Sequence, residues 1–353
     1  MLTVLVTGGC GFIGCNFIKF LLKNRKGTRV INLDKLTYAG NPANLSDVVR
    51  EYAPSQYQFI KGDIADKGVV QRILRESDVD WVINFAAESH VDRSITAPAE
   101  FLNTNILGTF TLLDTAREFW LDGGSDVTSK RFLQVSTDEV YGSLESTGFF
   151  TETTPYSPSS PYSASKAASD HLVHAYHRTY GLPTITTHSS NNYGPYQFPE
   201  KLIPLIINNA IKGEKLPVYG DGKNIRDWLY VEDNCSAILA TLERGLPGER
   251  YNVGANCEKQ NIEIVTMICD YLDQKVGLIG SRPRRTLIEF VPDRPGHDRR
   301  YAIDASKITH EIHWKPSVSF ETGIAKTIEW YLNNRAWTED IETGRYRKFD
   351  RDI

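Results

Sequence analysis

The sequence predicts a doubly wound, parallel α/β sheet with a smaller mixed α/β domain on its C-terminal side. Three observations predict it. Short apolar, β-branched runs at 2–6, 29–33, 57–60, 81–85 and 132–135 alternate with amphipathic patterns over 12–23, 68–76 and 99–119. The runs are near-continuously apolar, the signature of strands covered on both faces, and strand–helix alternation builds a parallel sheet by right-handed crossovers. The first run also leads directly into a glycine-rich turn and a helix, which in such sheets lies where ligands bind, beyond the carboxyl ends of the strands.

The turn reads Val4-Leu5-Val6-Thr7-Gly8-Gly9-Cys10-Gly11-Phe12-Ile13-Gly14. One of Gly8, Gly11 and Gly14 makes the tight turn, the next admits a pyrophosphate to the backbone, and the third lets helix and strand pack closely. The helix N-terminus offers free N–H groups and a positive dipole end. Glycine spacing alone is weak evidence. Here the next strand ends in Asp34, 20 residues beyond Gly14, where a carboxylate accepts from the ribose hydroxyls of NAD and repels the extra phosphate of NADP. The sheet is therefore expected to be Rossmann-type and the cofactor NAD. Asp63-Ile64 after the third strand falls beside the adenine, and Phe85-Ala86-Ala87 after the fourth leaves room for the cofactor to pass.

A helix over 162–180 and a strand over 184–188 continue the rhythm. From Asn191 onward Gly and Pro become frequent and the alternation breaks down. The expected division is an NAD-binding domain at 1–190, to which the chain returns around 229–258, and a second domain at 191–353. The charged residues 343–353 are expected to be loosely held.

A net charge of −4, without a long run of one sign, argues against nucleic acid or an anionic membrane as the main partner. No apolar run approaches the ~20 residues of a membrane span, and the first residues lack the pattern of a signal peptide. The five cysteines are odd in number and irregularly spaced, as in a reduced, cytoplasmic protein.

Tyr162 and Lys166 stand four apart near a helix start, on one face and one turn apart. A cationic lysine beside a phenol is expected to lower its pKa, so that Tyr162 can act as a base near neutral pH. The spacing is common by chance. It gains weight from a strand ending in Ser136-Thr137, which brings hydroxyls to the same place.

With these segments the chain resembles the extended short-chain dehydrogenase/reductases and, within them, the dTDP-glucose 4,6-dehydratases. The likeness runs from Thr7 to about Trp330 and includes 33–38, 86–94, 105–109, 136–142, 161–167, 190–201, 224–230 and 293–298. Its informative element is Thr137-Asp138-Glu139, because related sugar-nucleotide epimerases generally lack the acidic pair. The resemblance implies oxidation of a nucleotide-linked glucose at C4 by NAD, with Tyr162 taking the hydroxyl proton and Thr137 assisting. Glu139 would then remove the C5 proton while Asp138 protonates the departing C6 hydroxyl, and hydride would return to C6. Two carboxyls in different surroundings can divide such work. The product would enter deoxysugar biosynthesis, rhamnose included.

The resemblance also extends the cofactor set to Phe12, Ile13, Lys35, Thr37, Ser89, Thr104 and Asn192. It gives Ser89, Thr137, Asn191, Lys201, Leu202, Pro217, Tyr219, Arg226, Asn261, Asp293 and His297 to the substrate, dTDP-glucose. Arg226 suits a diphosphate because its planar fork matches phosphate oxygens, the plain alternative being a surface ion pair with Asp227. Helices over 99–119 and 163–180 imply a homodimer with a four-helix interface.

His171, His174 and His177 are not read as a metal site, because the first and third diverge by ~120° around a helix. His188 stands where the family usually has arginine. Cys10 and Cys15 are read as packing residues, with Cys15, near a helix N-terminus, open to a lowered pKa. The alternatives are a UDP-, CDP- or GDP-sugar dehydratase with a different base pocket, a UDP-sugar 4-epimerase, for which Asp138 and Glu139 have no use, and a non-catalytic NAD sensor, which would not need Tyr162 and Lys166.

Overall fold

The computed structural model describes residues 1–124 and 126–347. Twelve strands are present among them: β1 Leu2–Thr7, β2 Thr28–Asp34, β3 Tyr57–Lys61, β4 Trp81–Asn84, β5 Arg131–Thr137, β6 Thr184–Ser189, β7 Asn191–Tyr193, β8 Leu216–Tyr219, β9 Ile225–Tyr230, β10 Arg250–Val253, β11 Glu258–Gln260 and β12 Ile288–Val291. Seven form one parallel sheet in the order β3-β2-β1-β4-β5-β6-β10. The order reverses between β1 and β4, the switch point at which a doubly wound sheet opens a crevice. Two small sheets, β11-β9-β7 and β12-β8, stand beyond it. The fold class expected from the apolar runs is the one observed.

Both faces of the large sheet are buried, which is why its strands carry so few charges. On one face Phe17, Ile18 and Leu21 of the Phe12–Asn24 helix pack with Val4, Val6, Val30, Cys235 and Ile238. On the other, Val70, Ile73, Leu112 and Val173 cover Leu5, Ile31 and Val82. A separate core of Ile203, Ile206, Trp228, Ile264, Ile268 and Tyr331 supports the small sheets. No helix among the described residues is long and apolar enough to cross a membrane.

A polar ladder crosses the sheet beneath its carboxyl ends. Thr7 donates to Asn84 at 2.7 Å, and Asn84 donates to Gln134 at 2.9 Å and to Thr109 at 3.1 Å. Buried amides satisfied in this way fix their strands against sliding. The 99–119 helix differs in detail from expectation: it starts at Pro98, and its hydrogen bonds widen to π spacing over Leu102–Gly108 and Glu118–Asp122. The first wide turn aims Asn105 inward, where it clamps both backbone groups of Glu88 at 2.9 and 3.0 Å.

The tail was expected to be loose from 343. Up to 347 it is not: Tyr346 is buried and its hydroxyl donates to the Tyr38 carbonyl at 2.5 Å. Residues 348–353 lie outside the described residues.

Candidate active site

A cleft opens at the switch point. Gly8 sits at φ +68°, in the left-handed region, and a Cβ there would lie 2.7 Å from the backbone of Ala86. One on Gly14 would lie 2.4 Å from the Gly8 carbonyl oxygen. These two positions require glycine, one for the turn and one for the close seat of the helix. The cleft is lined by Gly8, Gly11, Phe12, Ile13, Gly14, Asp34, Lys35, Thr37, Asp63, Ile64, Phe85, Ala86, Ala87, Ser89, Thr104, Tyr162 and Lys166. Every residue assigned to NAD from the sequence is there except Asn192, whose amide donates to the Ser190 carbonyl at 2.9 Å while its oxygen is buried without a partner. Asp34 accepts from the N–H groups of Cys10 and Leu36, both at 2.8 Å. That locks the turn to the strand carrying the acid. The bare backbone at Gly11, the acid at the end of β2 and the small residues after β4 fit a dinucleotide.

The far wall is formed by Gln197, Phe198, Glu200 and Lys201, of which sequence reasoning had assigned only Lys201, to the substrate. Tyr38 bridges to it, donating to Glu200 at 2.9 Å and meeting Phe198 edge-on at 5.5 Å. Arg93 lies 3.8 Å over the Tyr38 ring, and Tyr346 meets Phe198 from behind. Trp337 adds a bond to Asn44 at 2.8 Å. Leu36 and Tyr196, each next in sequence to a cleft-lining residue, both adopt left-handed φ, which non-glycine residues rarely do. His90 stands 3.5 Å from Glu200, but burial and Lys201 lower its pKa to about 4, so the contact is dipolar at neutral pH. Asn84, Gln134 and Asn105 were missed too, although a polar residue inside a run such as Trp81-Val82-Ile83-Asn84 was a visible signal.

The Pro161–Tyr180 helix begins with a reciprocal capping box between Ser160 and Ser163, has Pro161 in its first turn, and ends at Gly181 with φ +75°. This well-determined start fixes Tyr162 and Lys166 against β5. Thr137 ends β5 and caps the short turn Asp138–Tyr141, its hydroxyl accepting from the Glu139 N–H at 3.3 Å and acting to lower the Tyr162 phenol. Tyr162, Asp138 and Glu139 thus meet at one strand end.

The expected action of Lys166 on Tyr162 is corrected. Lys166 donates to the Val135 carbonyl at 2.8 Å, and burial lowers its own pKa. The phenol is held well above its ordinary value by burial, then by Glu139, against the Thr137 hydrogen bond. In the protein alone burial and the nearby carboxylates set the direction of the shift. The further positive charge a tyrosinate requires is one that oxidised nicotinamide carries.

The two carboxyls lie in different surroundings. Asp138 is buried, its Oδ2 has no partner, and its pKa is raised well above the usual range by burial, with Glu139 and Asp227 adding and Arg226 opposing. Glu139 is also raised by burial, but Arg294, Arg226 and Lys201 all favour its ionised form. A carboxyl raised in this way binds its proton more tightly in the folded chain than in the unfolded one. Folding stability therefore falls by about 1.4 kcal/mol for each pH unit between the unfolded pKa, about 4, and the higher folded one. Asp138→Asn should accordingly raise the Tm, and by more near about pH 8 than near about pH 4. Thermal melts at the two pH values check this, and equal gains would mean a carboxyl that titrates alike in both states.

Arg226 is not in a surface ion pair. It is buried, donates to the carbonyls of Ile225 at 2.8 Å and Asp298 at 2.9 Å, and stacks 4.2 Å over Tyr301. Asp227 points away and accepts from Cys257 at 2.7 Å. Lys201 donates to the Ser89 carbonyl at 3.0 Å, tying two substrate-assigned residues together at the cleft. Leu202 opens the helix that follows, Asn191 lies on β7, and Asn261 opens the Asn261–Val276 helix. His297 bonds Asp293 at 2.6 Å, and Tyr219, beyond Pro217 on β8, meets the His297 ring edge-on. Buried side-chain oxygens of Asn191 and Asn261 lack hydrogen-bond partners.

Cys15 is corrected as well: burial raises its pKa to about 12, because its thiol faces the core and bonds the Phe12 carbonyl. Of the three helix histidines, His171 packs on Tyr156, His174 is exposed, and His177 bonds the Leu182 carbonyl.

Residues 5–327 match the family described as GDP-mannose 4,6 dehydratase. The dTDP-glucose 4,6-dehydratase of Xanthomonas campestris pv. campestris is 57% identical over 350 residues, 98% of each chain. The crystal structure of a dTDP-glucose 4,6-dehydratase from Streptomyces venezuelae, which holds NAD, is similar with a TM-score of 0.87 and 45% identity, over 96% of this chain and 100% of that one. The UDP-glucose 4-epimerase of Thermotoga maritima is similar at a TM-score of 0.82 but 28% identity, over 95% of this chain and 100% of that one.

Proposed function

Because the chain belongs to the GDP-mannose 4,6-dehydratase family of extended short-chain dehydrogenase/reductases, we propose that it converts dTDP-glucose to dTDP-4-keto-6-deoxyglucose and water. It is an NAD-dependent hydro-lyase of deoxysugar biosynthesis. The family description carries a GDP sugar, but relatives identical at more than half of all positions are dTDP-glucose enzymes, and that closer likeness decides the donor. The observation that carries the reading is the pair of carboxyls with unlike surroundings beside Tyr162. An epimerase has no use for them.

Bound NAD supplies the hydride acceptor for C4 and the donor for C6, so oxidation state is restored within one cycle. Tyr162, beside Thr137, takes the C4 hydroxyl proton. Glu139, with Arg294, Arg226 and Lys201 around it, takes the C5 proton once the C4 ketone has acidified it, and C5 is reprotonated as hydride reaches C6. Asp138, kept protonated by burial and its anionic neighbours, gives its proton to the leaving C6 hydroxyl. Lys166 would hold the nicotinamide ribose, Asp34 the adenosine ribose, and Arg226 with Asn261 and His297 the diphosphate. This reading divides the chain into an NAD part at 1–190, with the return at 229–258, and a sugar-nucleotide part at 191–353.

The enzyme acts as a homodimer in the cytoplasm. The dimer is supported by Leu102, Leu107 and Phe110, which stay 50%, 54% and 42% exposed on the helical segment after Pro98; large apolar side chains grouped this way mark an interface. The location is supported by five free cysteines. Sedimentation at micromolar concentration should give the mass of two chains, and Phe110→Glu should shift it toward one. A single-chain mass for the unaltered protein would sink the dimer.

The function is tested by giving purified protein, with catalytic NAD, dTDP-glucose and separately UDP-glucose, CDP-glucose and GDP-mannose. Loss of one water from dTDP-glucose, without net reduction of NAD, is the expected result. Loss only from another donor changes the substrate, and a galactosyl product would make the protein an epimerase.

A further inference from the structure

Behind the Tyr162–Lys166 face lies a second buried ionisable cluster that the chemistry above does not use. Asp170 follows Lys166 by one helical turn, so both project toward β5. Adjacent β5 residues receive them: Lys166 donates to the Val135 carbonyl at 2.8 Å, and Ser136 donates its hydroxyl to Asp170 Oδ2 at 2.6 Å. The same oxygen lies 3.3 Å from His188 Nε2 and 3.5 Å from the Tyr156 hydroxyl, while Tyr156 and His188 meet at 2.8 Å. Asp170 and His188 are 1% and 0% exposed, and Asp170 Oδ1 and His188 Nδ1 have no hydrogen-bond partner.

We propose that Asp170 is a positioning residue for the hydride step: its buried carboxylate is the fixed counter-charge that keeps the Lys166 ammonium charged and seated against Val135 in the cofactor cleft. A buried ammonium needs such a charge. Lys166 is 4% exposed and its one protein hydrogen bond is to a neutral carbonyl, so burial alone favours the uncharged amine. Among the groups acting on it, burial lowers its pKa and Asp170 raises it. Asp170 is in turn pinned in place, with Ser136, Tyr156 and His188 around one carboxyl oxygen and no partner on the other. The remaining ionisable groups around this pocket are Tyr141, Tyr156 and His188, with Tyr162 on the same helix and Glu152, Arg250 and His171 at the rim.

This role rests on the reading of Tyr162 and Lys166 as the hydride-step pair, and its test separates the two. Asp170→Asn keeps shape and an acceptor for Ser136 but removes the charge. Once the unaltered protein has been shown to release water from dTDP-glucose, the alkaline limb of kcat in Asp170→Asn should move to lower pH by about one pH unit or more. KM should stay in place, and because Asp170 also raises the Tyr162 phenol, any movement of the acid limb should likewise be toward lower pH. His188→Asn, which leaves the carboxylate, should leave the alkaline limb unmoved. A limb that does not move in Asp170→Asn, however slow the enzyme, would reduce Asp170 to a structural role. A limb that moves equally in His188→Asn would transfer the role to His188. A second measurement needs no substrate and no variant at Asp170. In the unaltered protein labelled with ¹⁵N-lysine and saturated with NAD, the Lys166 Nζ resonance, assigned with Lys166→Arg, should remain that of an ammonium through neutral pH. A neutral amine there would overturn the proposal even if dTDP-glucose is the substrate.

Discussion

Glu139→Gln is expected to halt the reaction after its first hydride transfer, lowering kcat by roughly 10²–10⁴-fold. The amide keeps the size and partial burial of Glu139 but cannot accept the C5 proton. Tyr162, Thr137 and Lys166 are untouched, so C4 oxidation should proceed. In a single turnover the absorbance of reduced nicotinamide should rise and persist, with no loss of water from the sugar. Deuterium from solvent, which enters C5 when the proton is removed and replaced, should stay out. If the variant releases water at the unaltered rate, Glu139 is not the base. If reduced nicotinamide never appears, Glu139 acts before the elimination, in the oxidation itself. Removing its charge also relieves Tyr162 of the carboxylate that most strongly raises its phenol, so oxidation should if anything become faster at a given pH.

Tyr162→Phe should act one step earlier and about as strongly, roughly 10²–10⁴-fold in kcat. The phenyl ring retains its edge-on packing against Phe101 at 6.3 Å, so the helix start should be undisturbed. What disappears is the acceptor for the C4 hydroxyl proton and the partner of Thr137. Here reduced nicotinamide should fail to accumulate, while NAD and dTDP-glucose still bind, as calorimetry would show. The two variants thus differ in one optical reading. Accumulation of reduced nicotinamide in Tyr162→Phe would mean that another group, Thr137 first, serves as the base.

Much of this site was legible in the sequence because its parts are local. A glycine turn between strand and helix, an acid one strand later, and a tyrosine one helical turn before a lysine are short-range patterns with fixed geometry, and the cleft gathers them as expected. Less legible was what depends on three-dimensional surroundings. Thr7, Asn84 and Gln134 become a ladder only when β1, β4 and β5 lie side by side. Asn105 finds Glu88 because its helix widens by one residue per turn, which no periodicity announced. The electrostatics of Tyr162 were misjudged for the same reason: spacing revealed the lysine four residues on but not the carboxylate that folds against the ring.

The contacts of Tyr346 with Tyr38 and of Trp337 with Asn44 join residues 308 and 293 positions apart. Synthesis proceeds from the N-terminus, so the glycine turn leaves the ribosome early, whereas the loop beside it waits for almost all the described residues before its last two bonds can form. Firm cofactor capture is therefore an event of the finished polypeptide. Removing residues 337–347 would cost the loop after β2 both of these bonds, so the length of the expressed chain bears on how firmly that loop is held.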